Sequence, residues 1–149
     1  MRLIMASSQL AKINIFFATL GLIPFGIGLY LSFNTPEGFL LSDWAHWLAS
    51  YTLLILAFLS GTLWQHSLQG KLQILLASLS NLIALAAWFG FSLLSISAFL
   101  HLAIWLFLFL LFIDYRLYLL QRLSFAYFRL RLSITGLVVL TLAMITKVP

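Results

Sequence analysis

The sequence predicts an all-α polytopic membrane protein: a small bundle of five transmembrane helices (four is the alternative count), with a basic cytoplasmic interfacial segment before the last. Three observations lead there. Hydrophobic residues make up 64% of the chain and charged residues 7%, with a mean hydropathy of +1.13, whereas a soluble domain carries about 25% charged residues to stay hydrated. The apolar residues fall in runs near the roughly 20 residues needed to cross a hydrocarbon core of about 30 Å. The charges lie between these runs, and Arg116, Arg122, Arg129 and Arg131 gather in residues 114–131. A basic cluster between apolar runs is held at one face of a bilayer and fixes the orientation of the other segments.

The composition also bounds the function. A chain of 149 residues has room for four or five spans within one transmembrane domain, 1–149, and none for a soluble domain. Zero cysteines exclude disulfides, thiol chemistry and cysteine-ligated clusters. The net charge of +5 flanks apolar runs, so it is topogenic and faces anionic headgroups; it does not indicate a nucleic-acid partner.

Span 1 is expected over residues 13–33, retained because its apolar run is too long for a signal-peptide core and no small-residue cleavage site follows it. Pro24 removes a backbone donor and should kink it, while Gly21, Gly26 and Gly28 permit close approach of a neighbour. A packing kink is favoured over a broken helix lining a site, since no ionisable group shares its depth. Loop 1 holds a turn at Thr35-Pro36-Glu37-Gly38, then Asp43 and Trp44, and Trp44 and Trp47 suit an interfacial belt.

Span 2 is expected over 46–68, with Ala57 and Gly61 as a small-xxx-small pair for helix packing. Gly70 and Lys71 turn the chain into span 3, 72–91, where Asn81 should face other helices. An uncharged turn leads to span 4, 95–115, which contains His101 and ends with Asp114. In the basic segment, 116–131, the arginines keep to no single helical face, which places a turn near Ser124. Tyr115, Tyr118 and Tyr127 are expected at headgroup level. Span 5, 132–146, would give only about 22 Å of helix, with Arg131 and Lys147 snorkelling outward to close the gap.

With five spans, Arg2, Lys12, Lys71, Arg116, Arg122, Arg129 and Arg131 fall on one side and only Lys147 on the other. That asymmetry places the N-terminus in the cytoplasm and the C-terminus in the periplasm. Residues 1–12 are short for a transit sequence, which favours a bacterial inner membrane over a mitochondrial one.

Little in the sequence carries chemistry. No charged residue is expected at mid-span, where a proton relay or ion-coupled carrier would show one, and no nucleophile, phosphate-loop or HExxH motif appears. His46 and His101 fall toward the non-cytoplasmic half on different helices, the arrangement a b-type haem needs, but a satisfied polar histidine is the favoured reading of each. No cofactor or metal is assigned. Asp114 lies where Arg129 or Arg131 opens span 5, and an ion pair pinning the two helix ends is favoured over a lipid or quinone headgroup contact. Arg116, Arg122 and Arg129 suit anionic lipid headgroups.

GLIPF at 21–25, YTLLILAFLSGTLW at 51–64, and Asp114 followed by RLSIT at 131–135 resemble the domain-of-unknown-function 3429 family, which includes transmembrane-protein-69-like proteins of mitochondria and many bacterial inner-membrane members. Phe58, Leu59, Gly61 and Trp64 match the family's second-span pattern. Ser60 replaces its first glycine, Leu63 stands where histidine is usual, and Gln65 where glycine is usual. The resemblance implies a five-span inner-membrane protein and supplies no reaction.

The leading functional expectation is a non-enzymatic accessory subunit or assembly factor of a larger membrane complex, a respiratory one first, with membrane lipids and other membrane subunits as partners. The alternatives are a haem- or quinone-binding redox protein using His46 and His101, and a small carrier or lipid-handling protein built around Pro24 and Asn81.

Overall fold

The computed structural model describes residues 16, 19–34, 41–67 and 72–147, with the side chains of 41, 42 and 65–67 excepted. Five helices follow in order: α1 Ile23–Phe33, α2 Leu41–Ser67, α3 Gln73–Leu93, α4 Ile96–Leu119 and α5 Phe125–Ile145, with no strand among the described residues. Four of them, α2 to α5, are long and apolar enough to cross a membrane. The expected turn at 35–38 and the charged residues Arg2, Lys12, Glu37 and Lys71 lie outside the described residues.

The helix ends follow from local chemistry. Ser95 caps α4, its Oγ accepting from the Ala98 N–H, and Ser124 caps α5 by accepting from the Tyr127 N–H. The turn between α4 and α5 is a Schellman closure: the Arg122 N–H donates to the Leu117 carbonyl and the Gln121 N–H to the Tyr118 carbonyl. Gln121 occupies the left-handed position, with φ of 57°, where glycine is usual.

These short connections force antiparallel neighbours. The helices close a ring in chain order, α1 packing back on α5, while α2 and α4 also meet across the middle. The inward face of α3 holds Leu76, Ser80, Ile83, Ala87 and Gly90, and that of α4 Leu100, Ala103, Phe107, Leu110, Asp114 and Leu117. Both follow the alternating three- and four-residue spacing of a packed helix seam. Most bulky apolar side chains outside these seams are exposed, among them Ile74, Phe58 and Trp105, as a bundle with lipid for its solvent requires.

Three expected segments differ. The short span 5, 132–146, is a full helix of 21 residues, Phe125–Ile145, because Ser124 starts it about two turns before the arginines end. Residues 116–131 are not one continuous segment: Arg116 lies in the last turn of α4, residues 120–124 make the turn, and Arg129 and Arg131 are inside α5. Span 1 is interrupted, since residues 19–20 are helical, Gly21 and Leu22 form a turn, and α1 restarts with Pro24 in its first turn. Pro24 has no N–H to donate and its ring clashes with the carbonyl four residues earlier, so the break precedes it. The Tyr51 hydroxyl donates to the Gly21 carbonyl at 3.0 Å, so α2 supplies a hydrogen bond at the break.

Candidate functional site

Among the described residues, the two buried charges both lie in the seam between α4 and α5. On α5 the inward residues are Arg131, Thr135, Val138, Leu142 and Ile145. Arg131 thus has the same helical phase as the apolar core below it, and Asp114 shares the phase of Leu110 and Leu117 on α4. Arg131 Nε donates to Asp114 Oδ2 at 2.7 Å, and their side chains are 9% and 1% exposed. With the helices antiparallel, this pair fixes a register in which Leu110 lies level with Thr135, Phe107 with Val138 and Ala103 with Leu142.

The pair sits inside both spans. Asp114 is five residues before the end of α4 and Arg131 six after the start of α5, about 8–9 Å along the axes. Two expectations are thereby corrected. Arg131 does not snorkel outward, because its helical phase points it into the bundle. The charges of the chain do not all stay at helix ends, because α5 begins earlier than its apolar run does. One turn nearer the bundle end, the Tyr118 ring stacks on Phe128 at 5.2 Å and approaches Phe125 at 6.2 Å, while Tyr115 meets Phe128 at 5.9 Å. The rings expected at headgroup level therefore include a layer between the ion pair and the surface. Arg131 Nη2 is buried without a hydrogen-bond partner, so the aspartate satisfies only part of the guanidinium.

Arg129 does not join the pair. Two residues earlier on the helix, it faces outward, its guanidinium 5.9 Å from the centre of the Phe125 ring. Arg116 and Arg122 are also exposed at this end of the bundle.

The small-residue and amide positions expected to suit helix packing face outward from this bundle. Ala57 and Gly61 are exposed, and a Cβ added at Gly61 would meet nothing within 4 Å. The close approaches occur instead at Gly28, where a Cβ would come within 2.9 Å of Leu48 Cδ1, and at Gly90, where it would collide with Leu102. Asn81 is exposed on α3, its Nδ2 donating to the Ala77 carbonyl of its own helix at 3.1 Å. Helical phase decides each case: Ser60 and Ser80, neighbours in sequence of Gly61 and Asn81, are the residues turned inward. The Ser80 hydroxyl donates to the Ser60 carbonyl at 2.8 Å and ties α3 to α2.

His46 and His101 are both exposed, and His101 Nδ1 lies 2.8 Å from the Ser97 carbonyl of its own helix. Neither imidazole points into the bundle. Among the described residues no group of three or more His, Asp or Glu side chains comes together to hold a metal ion. A cleft of about 300 Å³ between α1 and α2 is lined by Ile27, Leu31, Asp43, Trp44 and Trp47, and the Trp44 indole nitrogen is buried there without a partner.

The match to the family described as "Protein of unknown function (DUF3429)" runs over residues 10–146, nearly the full chain. The chain belongs to the DUF3429 family. No curated protein and no solved structure matches it. The family match covers both partners of the ion pair, all five helices and Asn81.

Proposed function

We propose that this DUF3429 chain is a non-enzymatic accessory subunit or assembly factor of a larger membrane complex, with its N-terminus cytoplasmic and its C-terminus periplasmic in a bacterial inner membrane. The observation that carries the reading is Asn81. An amide near the middle of an apolar helix, turned away from its own bundle, has spare donors and acceptors where hydrocarbon offers neither. A helix of a protein partner supplies what lipid does not. The exposed notch at Ala57 and Gly61 on the neighbouring helix α2 supports the same reading, because small residues let a second backbone approach closely. The orientation is supported by Arg116, Arg122 and Arg129 at the α4–α5 end of the bundle, where they suit anionic headgroups.

The test is mass spectrometry of what co-purifies with the tagged chain at native expression level in mild detergent. A respiratory complex is the first to look for, since the family resemblance spans bacterial and mitochondrial inner membranes. Stoichiometric subunits of one membrane complex are expected. Recovery of the chain without any other protein overturns the accessory role.

A further inference from the structure

The outward face of α3 repeats the spacing of its inward one. Ile74, Ser78, Asn81, Leu85, Trp88 and Ser92 are all exposed and recur at alternating intervals of four and three. That spacing forms a continuous stripe down a helix and is the pattern by which two helices interlock along their length. Among the described residues nothing packs over it. The inward stripe of the same helix, with the same intervals, is filled by α2 and α4.

Asn81 lies near the centre of this stripe, with one hydrogen bond to its own helix and a carbonyl oxygen and second N–H left over. An amide is self-complementary: its oxygen accepts what its nitrogen donates. Two copies inserted with the same topology hold α3 at the same depth, and a two-fold axis along the membrane normal sets the two helices parallel. Asn81 then faces Asn81 of the second copy with no further adjustment, which an unrelated helix would match only by carrying a polar group at that depth. A single central amide in a seam whose other members are apolar or carry only a hydroxyl also fixes register and copy number. We infer that the Asn81 stripe of α3 is a homodimer interface, closed by an amide pair between two copies of this chain. The inference rests on the reading that this face of α3 meets protein, and it names the partner.

The chain contains no cysteine, so single cysteines placed in the full-length protein report proximity without background. In native membranes, cysteines at 78 and 85 should cross-link between copies under mild oxidation, whereas one at Trp105, exposed on α4, should not. In lipid nanodiscs, Asn81→Leu should weaken the dimer by about three- to thirtyfold, and Asn81→Gln should recover part of it. Cross-linking that ignores the stripe, or a monomer at all protein densities, overturns the inference. A monomer that still retains another membrane protein through Asn81 overturns only the choice of a second copy. If Asn81→Leu changes neither self-association nor co-purification, the reading of this face as protein-facing falls as well. The cross-linking pattern decides alone should the leucine variant fail to accumulate.

Discussion

Replacing Asp114 is the perturbation that most directly tests how the bundle is held. With Asp114→Leu, Arg131 Nε loses its 2.7 Å partner while Nη2 has none already. The guanidinium is then left in a site where its side chain is only 9% exposed. Removing one partner of a buried pair costs about 3–5 kcal/mol, and the near-complete burial of both groups means the discount for exposed pairs does not apply. Asp114→Asn, which keeps an acceptor of the same shape, should cost less than Asp114→Leu. The double variant Asp114→Leu with Arg131→Met removes both charges and refills the seam with apolar groups; it should unfold near the wild-type midpoint or up to about 4 kcal/mol beyond it. The assay is equilibrium unfolding in mixed micelles by titration with an anionic detergent, followed by far-ultraviolet circular dichroism and by the fluorescence of the five tryptophans. If the double variant loses the sum of the two single losses, the residues act independently and the α4–α5 register is wrong. If Arg131→Met alone costs less than about 1 kcal/mol, the arginine reaches the headgroups instead of the carboxylate.

Other substitutions probe separate joints. Gln121→Gly should raise stability by about 1 kcal/mol in the same unfolding assay, since φ of 57° strains any side chain with a Cβ. Gly90→Ala should destabilise by up to about 1 kcal/mol, because its methyl group must push the end of the Leu102 side chain aside, whereas Gly61→Ala should be neutral or gain up to about 1 kcal/mol from helix propensity. A reversed order would mean that α3 and α4 do not approach at Gly90. Tyr51→Phe should cost about 1 kcal/mol by removing the hydrogen bond to the Gly21 carbonyl at the break before α1, and protease or hydrogen exchange should show that break opening first.

Fold class and helix order are legible in this sequence because lipid solvation demands long apolar helices and charges mark their ends. The start of the last helix is not legible in hydropathy, for a physical reason. Counting hydropathy stops a span at the first arginine, yet α5 begins at Phe125, where the Ser124 cap and the aromatic residues Phe125 and Phe128 start the helix. The signal was present in phase: Arg131 is four residues before Thr135 and seven before Val138, so it continues the inward seam. The candidate site was half legible. Asp114 was expected to meet Arg129 or Arg131, and phase selects the second. The Tyr51 bond to Gly21 was not legible at all, because a carbonyl exposed by a helix break leaves no trace in residue identity.

In a soluble protein the apolar residues mark the interior, and their spacing identifies the core. Here leucine and phenylalanine occupy both sides of every helix, so hydrophobicity says where the membrane is and almost nothing about which way a helix faces. The polar residues carry that information instead. The Asp114–Arg131, Ser80–Ser60 and Tyr51–Gly21 contacts each join two different elements. Leaving any of these groups unpaired in hydrocarbon would cost more than the contact itself contributes. The same reasoning applied to Asn81 gives the opposite geometry: its amide lies on the lipid side of α3, bonded only within its own helix. That exception is the ground on which we propose that the outer face of α3 meets protein.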